Sequence, residues 1–318
     1  MTTFRSGFAA VVGRPNVGKS TLVNAMVGTK VSITSPRPNT TRSQVRGVLN
    51  RPDAQVVFVD TPGLHKPRTA LGERMNESAT SSLDDVDVVV AMVEATGAVG
   101  PGDRMVLTAS AHRVRAMART GSLQSEVGSG DPDSVGDPTL LVVVNKIDRV
   151  GGDGVLTHLT AVAEVIEAID RDGGGPVPVE YFPVSAATGE GVPGLIDAVV
   201  ERMPDGPRYY PEGMVTDVAE AFWVADLVRE ELLHRVEDEL PHSIACRVTE
   251  WEWPRVRCEI QVERDSQKGI VIGKGGSTLK EVGTAVRQQM PPGAFLELFV
   301  RVEKRWQHRE DALDRLGL

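Results

Sequence analysis

The sequence predicts a mostly parallel α/β sheet covered on both faces, followed by a smaller α+β domain. Three observations support this. Strand-length apolar runs alternate with helical stretches through the first two thirds of the chain. Runs such as Leu140–Val144 are apolar throughout, as expected of strands buried on both faces. After the turn-rich MPDGPRYYP, residues 203–211, the pattern changes to α-β-β-α-α-β. At 318 residues the chain is longer than one average domain. The expected limits are 1–203 for the first domain, 204–216 for a linker, and 217–318 for the second domain and its tail.

The elements follow in order. Phe8–Val12 is an apolar strand that stops at a glycine-rich turn, and Ser20–Val27 is a helix ended by Gly28. Val45–Leu49, Val56–Asp60, Val88–Val93, Leu140–Asn145 and Tyr181–Val184 are β-branched and read as strands. Helical stretches cover Ala70–Ser82, Arg104–Ala118 and Leu156–Ile169. Thr120–Asp137 is rich in Gly, Ser and Asp, lacks an apolar period and reads as a mobile surface insertion. In the second domain Val218–Val236 is an amphipathic helix, and Ile244–Trp251 pairs with Arg255–Glu263 around a Trp-Pro turn. A short helix, a GKGG turn and a longer helix with Leu279, Val282, Val286 and Met290 on one face precede the strand Phe295–Val302. Trp251, Trp253 and Trp306 are expected to pack in the core or between domains.

Composition narrows the function. The longest apolar runs fall far short of a membrane span, and MTTFRSGFAAVVGRP lacks the apolar region and cleavage site of a signal peptide. Cys246 and Cys258 fall in strand-like stretches and are expected as buried free thiols of a cytoplasmic protein. A net charge of −9 argues against indiscriminate nucleic-acid binding. The charge is uneven, however: residues 212–252 balance at −8 and residues 255–309 at +5.

Gly13-R-P-N-V-Gly18-Lys19-Ser20 matches G-x-x-x-x-G-K-[ST] in a strand–loop–helix setting. Glycines let backbone N–H groups turn toward phosphate oxygens, and the following helix N-terminus favours negative charge. Lys19 can reach the β- and γ-phosphates, and Ser20 can place its hydroxyl on Mg²⁺. Asp60-T-P-Gly63 closes a strand, which places Asp60 to meet Mg²⁺ through water and the Gly63 N–H to face the γ-phosphate. Asn145-Lys146-Ile-Asp148 ends another strand at the carboxyl edge, where ligands bind in such sheets. Asp148 can accept from guanine N1–H and the exocyclic amine; adenine offers neither. Ser185-Ala186-Ala187 ends the next strand and offers backbone N–H to guanine O6.

Together these motifs form the five-part signature of the GTPase superfamily. GRPNVGKSTLVNAMVG, the TTR of residues 40–42, DTPGLHKP, NKID and SAATGEG resemble the bacterial Era-like GTPases. The resemblance implies a nucleotide site of Gly13, Asn16, Val17, Gly18, Lys19, Ser20, Thr21, Asp60, Gly63, Asn145, Lys146, Asp148, Ser185, Ala186 and Ala187. Lys19, Thr41 and Gly63 are the expected catalytic group, and Ser20, Thr41 and Asp60 the expected Mg²⁺ set. Thr40 and Thr41 both compete for the threonine role, with Thr41 preferred. Leu64 stands where Ras-type GTPases carry the water-orienting glutamine, so another group must align the water. Asn16 matches an asparagine that helps bind a monovalent cation in several related GTPases, which implies K⁺ as a candidate cofactor. Val31–Gly47 and Leu64–Ser82 are the expected mobile switches.

The second glycine–lysine loop, IVIGKGGST at residues 270–278, is not another triphosphate loop. Lys268 takes the place of the first required glycine, and Gly275 stands where a hydroxyl must bind Mg²⁺. A GxxG turn between helices in such a domain resembles the KH module, which clamps the backbone of single-stranded nucleic acid. QKGIVIGKGGSTLKEVG, YYPEGMVTD and WQHREDALDRLGL are similar to the Era KH segment, linker and tail. The implied fold is a P-loop GTPase domain followed by a type II KH domain. The implied RNA contacts are Lys268, Ile270, Ile272, Gly273, Lys274, Gly275, Gly276 and Lys280. Implied partners are GTP and GDP, small-subunit (16S) rRNA near its 3′ end and the 30S precursor, in a monomer with peripheral association at the membrane's inner face allowed. Two alternatives stand beside this: a regulatory GTPase whose C-terminal domain binds a protein or the membrane surface, and a nonenzymatic RNA-binding scaffold.

Overall fold

The computed structural model describes residues 3–126, 138–172, 175–236 and 240–318. Contacts divide the chain into two units. The first comprises residues 1–32, 41–65 and 75–217. The second comprises Ile33–Thr40, Lys66–Arg74 and Val218–Leu318. The division differs from the contiguous ranges expected, because part of each expected switch segment belongs to the second unit.

The first unit holds β1 (Arg5–Gly13), α1 (Lys19–Val27), β2 (Val45–Asn50), β3 (Ala54–Asp60), most of α2 (Ala70–Ser81), β4 (Val88–Glu94), α3 (Pro101–Glu126), β5 (Leu140–Asn145), α4 (Gly152–Arg171), β6 (Val179–Val184) and α5 (Val192–Glu201). Its sheet runs β2-β3-β1-β4-β5-β6. Only the β2–β3 pair is antiparallel. The continuous apolar runs follow from burial on both faces. Ala9, Val11, Val88 and Val90 face a core shared with Leu22 of α1 and Leu195 of α5. Their neighbours Ala10, Val12, Val89 and Ala91 face the opposite core with Val106 of α3 and Val162 of α4. The carboxyl ends of β3, β1, β4, β5 and β6 therefore stand side by side.

Two expectations change. Thr120–Glu126 continues α3 instead of opening an insertion. A helix interior tolerates one glycine at about 1 kcal/mol, and Leu, Gln and Glu are good helix formers. Residues 127–137 of that expected insertion lie outside the described residues. The helix α5 is an addition to the expected elements, with Pro193 in its first turn and Gly191 at its N-cap. The stretch 204–216 is fastened to the sheet: buried Gln55 accepts from the N–H groups of Tyr209 and Tyr210 and donates to the Tyr210 carbonyl.

The second unit follows the expected order, with α6 (Glu220–Arg235), α7 (Leu240–Ser243), β7 (Ala245–Glu252), β8 (Arg255–Val262), α8 (Asp265–Ile272), α9 (Ser277–Arg287), β9 (Phe295–Val302) and α10 (Glu310–Leu316). β7 and β8 are antiparallel, and β8 and β9 parallel. Val228, Val256, Cys258, Ile260, Val271 and Val282 are buried in its core. Ile33 joins that core, while the Thr34 N–H donates to Glu230 Oε1 at 2.8 Å and Arg37 donates to the Val236 carbonyl. Trp306 is fully buried and donates from its indole to Ser243 O. Trp253 departs from the packing expected of it: it sits in the β7–β8 turn and is half exposed. Both cysteines are free thiols, with Cys258 buried and Cys246 partly exposed.

Candidate nucleotide and RNA sites

In the first unit Gly13 to Gly18 link β1 to α1, and both Asn16 and Gly18 take positive φ (65° and 105°). Gly18 is required by space as well, because a Cβ there would lie 2.3 Å from Asn145 Nδ2. Lys19 is buried, and its Nζ donates to the carbonyls of Gly13 and Arg14 at 3.2 and 3.0 Å. Val17 is buried behind the loop, and Thr21 is half-buried on the first turn of α1.

Asp60 ends β3 and is fully buried. Ser20 Oγ and Thr41 Oγ1 stand 2.8 Å apart, and the Thr41 hydroxyl lies 3.4 Å from Asp60 Oδ2. Thr40 turns elsewhere, to Ser35 Oγ and the Arg37 carbonyl. Asp60 Oδ1 is buried with no hydrogen-bond partner among the described residues. Burial pulls the Lys19 ammonium down to about 8, against the opposing influence of Asp60. Burial also pushes the Asp60 carboxyl up, with Lys19 acting the other way. The pocket is thus short of charge compensation. An orphaned carboxylate oxygen beside two hydroxyls suits a hard divalent cation such as Mg²⁺.

Gly63 presses on the phosphate loop: a Cβ there would lie 2.5 Å from the Pro15 nitrogen. The Leu64 N–H donates to the Gly13 carbonyl at 3.2 Å.

The base-recognition motifs brace one another. Asn145 donates from Nδ2 to the Val17 carbonyl and accepts the Ala186 N–H at Oδ1 (2.8 and 2.9 Å). One side chain therefore ties the phosphate loop, NKID and SAA together. Ser185 donates to Asp148 Oδ1 at 2.6 Å, which orients the carboxylate. Because Asn145 takes the Ala186 N–H, the Ala187 N–H is the amide of SAA left without a partner among the described residues. Lys146 donates to the Asn16 carbonyl at 2.8 Å and pairs with Glu94 at 2.9 Å. Sequence reasoning passed over Glu94. The available signal was an acid at the carboxyl end of β4, in register with Asn145 of β5. It also passed over Asp103, buried and bonded to Arg14 of the phosphate loop at 2.6 Å.

In the second unit the GKGG turn joins α8 to α9, with positive φ at Gly273, Gly275 and Gly276. The glycines are needed for different reasons. A Cβ on Gly273 would lie 2.3 Å from Thr278 Oγ1, so that glycine serves the turn's own packing. Nothing lies within 4 Å of a Cβ at Gly275 or Gly276, which leaves open space against the backbone. Lys274 and Lys280 are exposed and Lys268 is half-buried. Ile270 is 57% exposed, Ile272 is partly covered, and Val271 between them fills the core. Exposed Ile270 and Lys274 with a bare glycine backbone form a surface suited to a sugar-phosphate chain.

Comparisons with known proteins match both domain types. Residues 8–119 match the family described as 50S ribosome-binding GTPase, and residues 239–307 match the KH domain family. The chain is 46% identical over 330 residues to GTPase Era of Mycobacterium sp. (strain JLS), with each chain fully covered. It is 44% identical over 329 residues to GTPase Era of Mycobacterium tuberculosis, again with full coverage. Among solved structures it is similar to Era bound to MgGDPNP and nucleotides 1506–1542 of 16S rRNA (TM-score 0.78, 33% identity, 99% of each chain). A point variant of Aquifex aeolicus Era bound to GDP and AlF4⁻ is equally similar (TM-score 0.79, 33% identity, 99% of each chain).

Proposed function

The chain belongs to the Era family of GTPases, and from that premise we propose how its own residues perform the family's work. It hydrolyses GTP to GDP and phosphate, and its nucleotide state governs binding of 16S rRNA near the 3′ end during 30S assembly. The observation that carries the nucleotide half is the convergence of Ser20, Thr41 and the orphaned Asp60 oxygen. Bound there, Mg²⁺ offsets charge on the β- and γ-phosphates. Lys19 exchanges its two loop carbonyls for phosphate oxygens. The Gly63 N–H faces the γ-phosphate, and Asp148, held by Ser185, reads guanine N1–H and the amine. The Ala187 N–H is the donor to guanine O6. Thr41 is the threonine that senses the γ-phosphate, since Thr40 is occupied elsewhere.

Thr41 also offers a route to the second unit. Its sequence neighbour Thr40 ends the segment Ile33–Thr40, which packs within the second unit. Release of Thr41 after hydrolysis is therefore passed on through one peptide bond. The coupling is reciprocal: RNA changes GTP affinity by the factor by which GTP changes RNA affinity. The partners are the 30S precursor and its rRNA, met by a cytoplasmic monomer.

Crosslinking of the chain to cellular RNA, with sequencing, in the GTP-analogue and GDP states tests this reading. Enrichment of the 16S 3′ end in one nucleotide state is expected; state-independent capture of unrelated RNA would overturn it. Asn16 would hold a K⁺ ion beside the phosphates, which would supply compensation for transition-state charge. GTP turnover should then differ several-fold between K⁺ and Na⁺, and equal rates remove the ion.

A further inference from the structure

The attacking water lacks its usual partner, and the fold explains why Leu64 is no substitute. Leu64 is 8% exposed and packs in the apolar core with Val12, Ala91 and Val93. Its side chain is committed to packing and carries no polar atom. The next residue is differently placed. His65 is half-buried, and its Nδ1 lies 2.9 Å from the Gly63 carbonyl. A carbonyl only accepts, so Nδ1 carries the proton, and in the neutral ring Nε2 then holds a lone pair. Nε2 has no partner among the described residues. Asn76 clamps the His65 backbone from both sides, accepting its N–H at 3.3 Å and donating to its carbonyl at 2.6 Å. The turn that carries His65 lies against the phosphate loop, through Gly63 on Pro15 and Leu64 N–H on the Gly13 carbonyl.

We propose that His65 is the catalytic residue that orients the attacking water, accepting a hydrogen bond at Nε2, and that Asn76 is its positioning residue. The proposal rests on the GTPase reading above. The water oxygen bonds to the γ-phosphorus while the bond from that phosphorus to the β–γ bridging oxygen breaks. The electron pair of the broken bond stays on GDP. The proton that the water loses passes to a γ-phosphate oxygen, so the products are GDP and dihydrogen phosphate. His65 aligns the water and is unchanged by the cycle, as glutamine is in Ras-type enzymes.

The test uses the full chain with His65→Phe, His65→Ala and His65→Gln. Three quantities are measured: affinity for a non-hydrolysable GTP analogue, single-turnover GTP hydrolysis, and AlF4⁻-dependent tightening of GDP. His65→Phe and His65→Ala should lose about 10- to 100-fold in rate. Their analogue affinity should stay within about twofold, and the AlF4⁻ effect should vanish. His65→Gln should recover most of the rate, since its amide oxygen accepts from water. Asn76→Ala should slow hydrolysis by about fivefold and add nothing to His65→Phe, as residues acting as one unit are non-additive. Hydrolysis by His65→Phe at the parent rate would overturn the proposal, as would a rate loss matched by an equal loss of analogue affinity. A parent chain that binds GTP without turnover would instead remove the GTPase reading itself.

Discussion

Two glycine–lysine loops in one chain are built in opposite ways. At Gly13–Ser20 the lysine is buried, and the glycine Gly18 faces Asn145 with no room for a side chain. At Gly273–Gly276 the lysine is exposed, and two of the glycines open onto empty space. The first loop is a closed cradle whose walls are cross-braced by Asn145, Lys146 and Ser185. The second is an open track suited to a backbone that repeats and continues past it. Both use glycine and a helix N-terminus, and burial is what separates them.

The largest effect expected tests the closed cradle's selectivity. Asp148→Asn replaces an acceptor by a donor, and xanthine carries a carbonyl where guanine carries its amine. Preference should turn from GTP toward XTP by about 10³-fold or more, read from competition for a fluorescent nucleotide. An unchanged preference would mean that Asp148 does not read the base. Next in size, Lys19→Ala should lower the GTP turnover rate by about 10²- to 10³-fold while leaving RNA affinity measured without nucleotide in place. Lys274→Asp with Gly275→Asp should do the reverse. RNA affinity should fall by about 10- to 100-fold, measured by filter binding over a salt series, with basal GTP hydrolysis retained. If Lys274→Asp with Gly275→Asp lost basal hydrolysis without RNA, or Lys19→Ala lost RNA affinity without nucleotide, the two loops would not be separate devices.

The smallest effect follows from the buried lysine. In the free protein Lys19 loses its proton through about pH 8. A bound triphosphate favours the ammonium, so above that pH nucleotide binding must take up a proton. GTP affinity should therefore fall by about tenfold as pH rises from 7 to 9, with proton uptake visible by calorimetry in buffers of different ionisation enthalpy. A flat profile would show that Lys19 is better solvated than its burial implies.

Much of the cradle was legible in the sequence because its chemistry is local. Gly18, Lys19 and Ser20 are neighbours at a strand–helix junction, and Asp60, Asn145 and Ser185 each end or follow a strand that announces itself by β-branched residues. The less legible parts depended on partners far along the chain. Glu94 acts through Lys146, and Asp103 through Arg14, at separations no periodicity records. Thr120–Glu126 was misread because its Gly and Ser content outweighed the good helix formers among them.

The parallel α/β sheet, the G-x-x-x-x-G-K-[ST] and NKID patterns and the departure of GKGG from the Walker pattern are all legible in residue type. Each is set by residue type over a few positions, where backbone freedom, charge and hydrogen-bonding capacity act directly. Long-range folding settles that Thr41 rather than Thr40 meets Ser20 and Asp60. It also decided that Leu64 is spent on the core while His65 keeps a ring nitrogen open, and that Ile33–Thr40 packs within the second unit. These outcomes turn on which of two adjacent side chains faces inward, and long-range packing settles that.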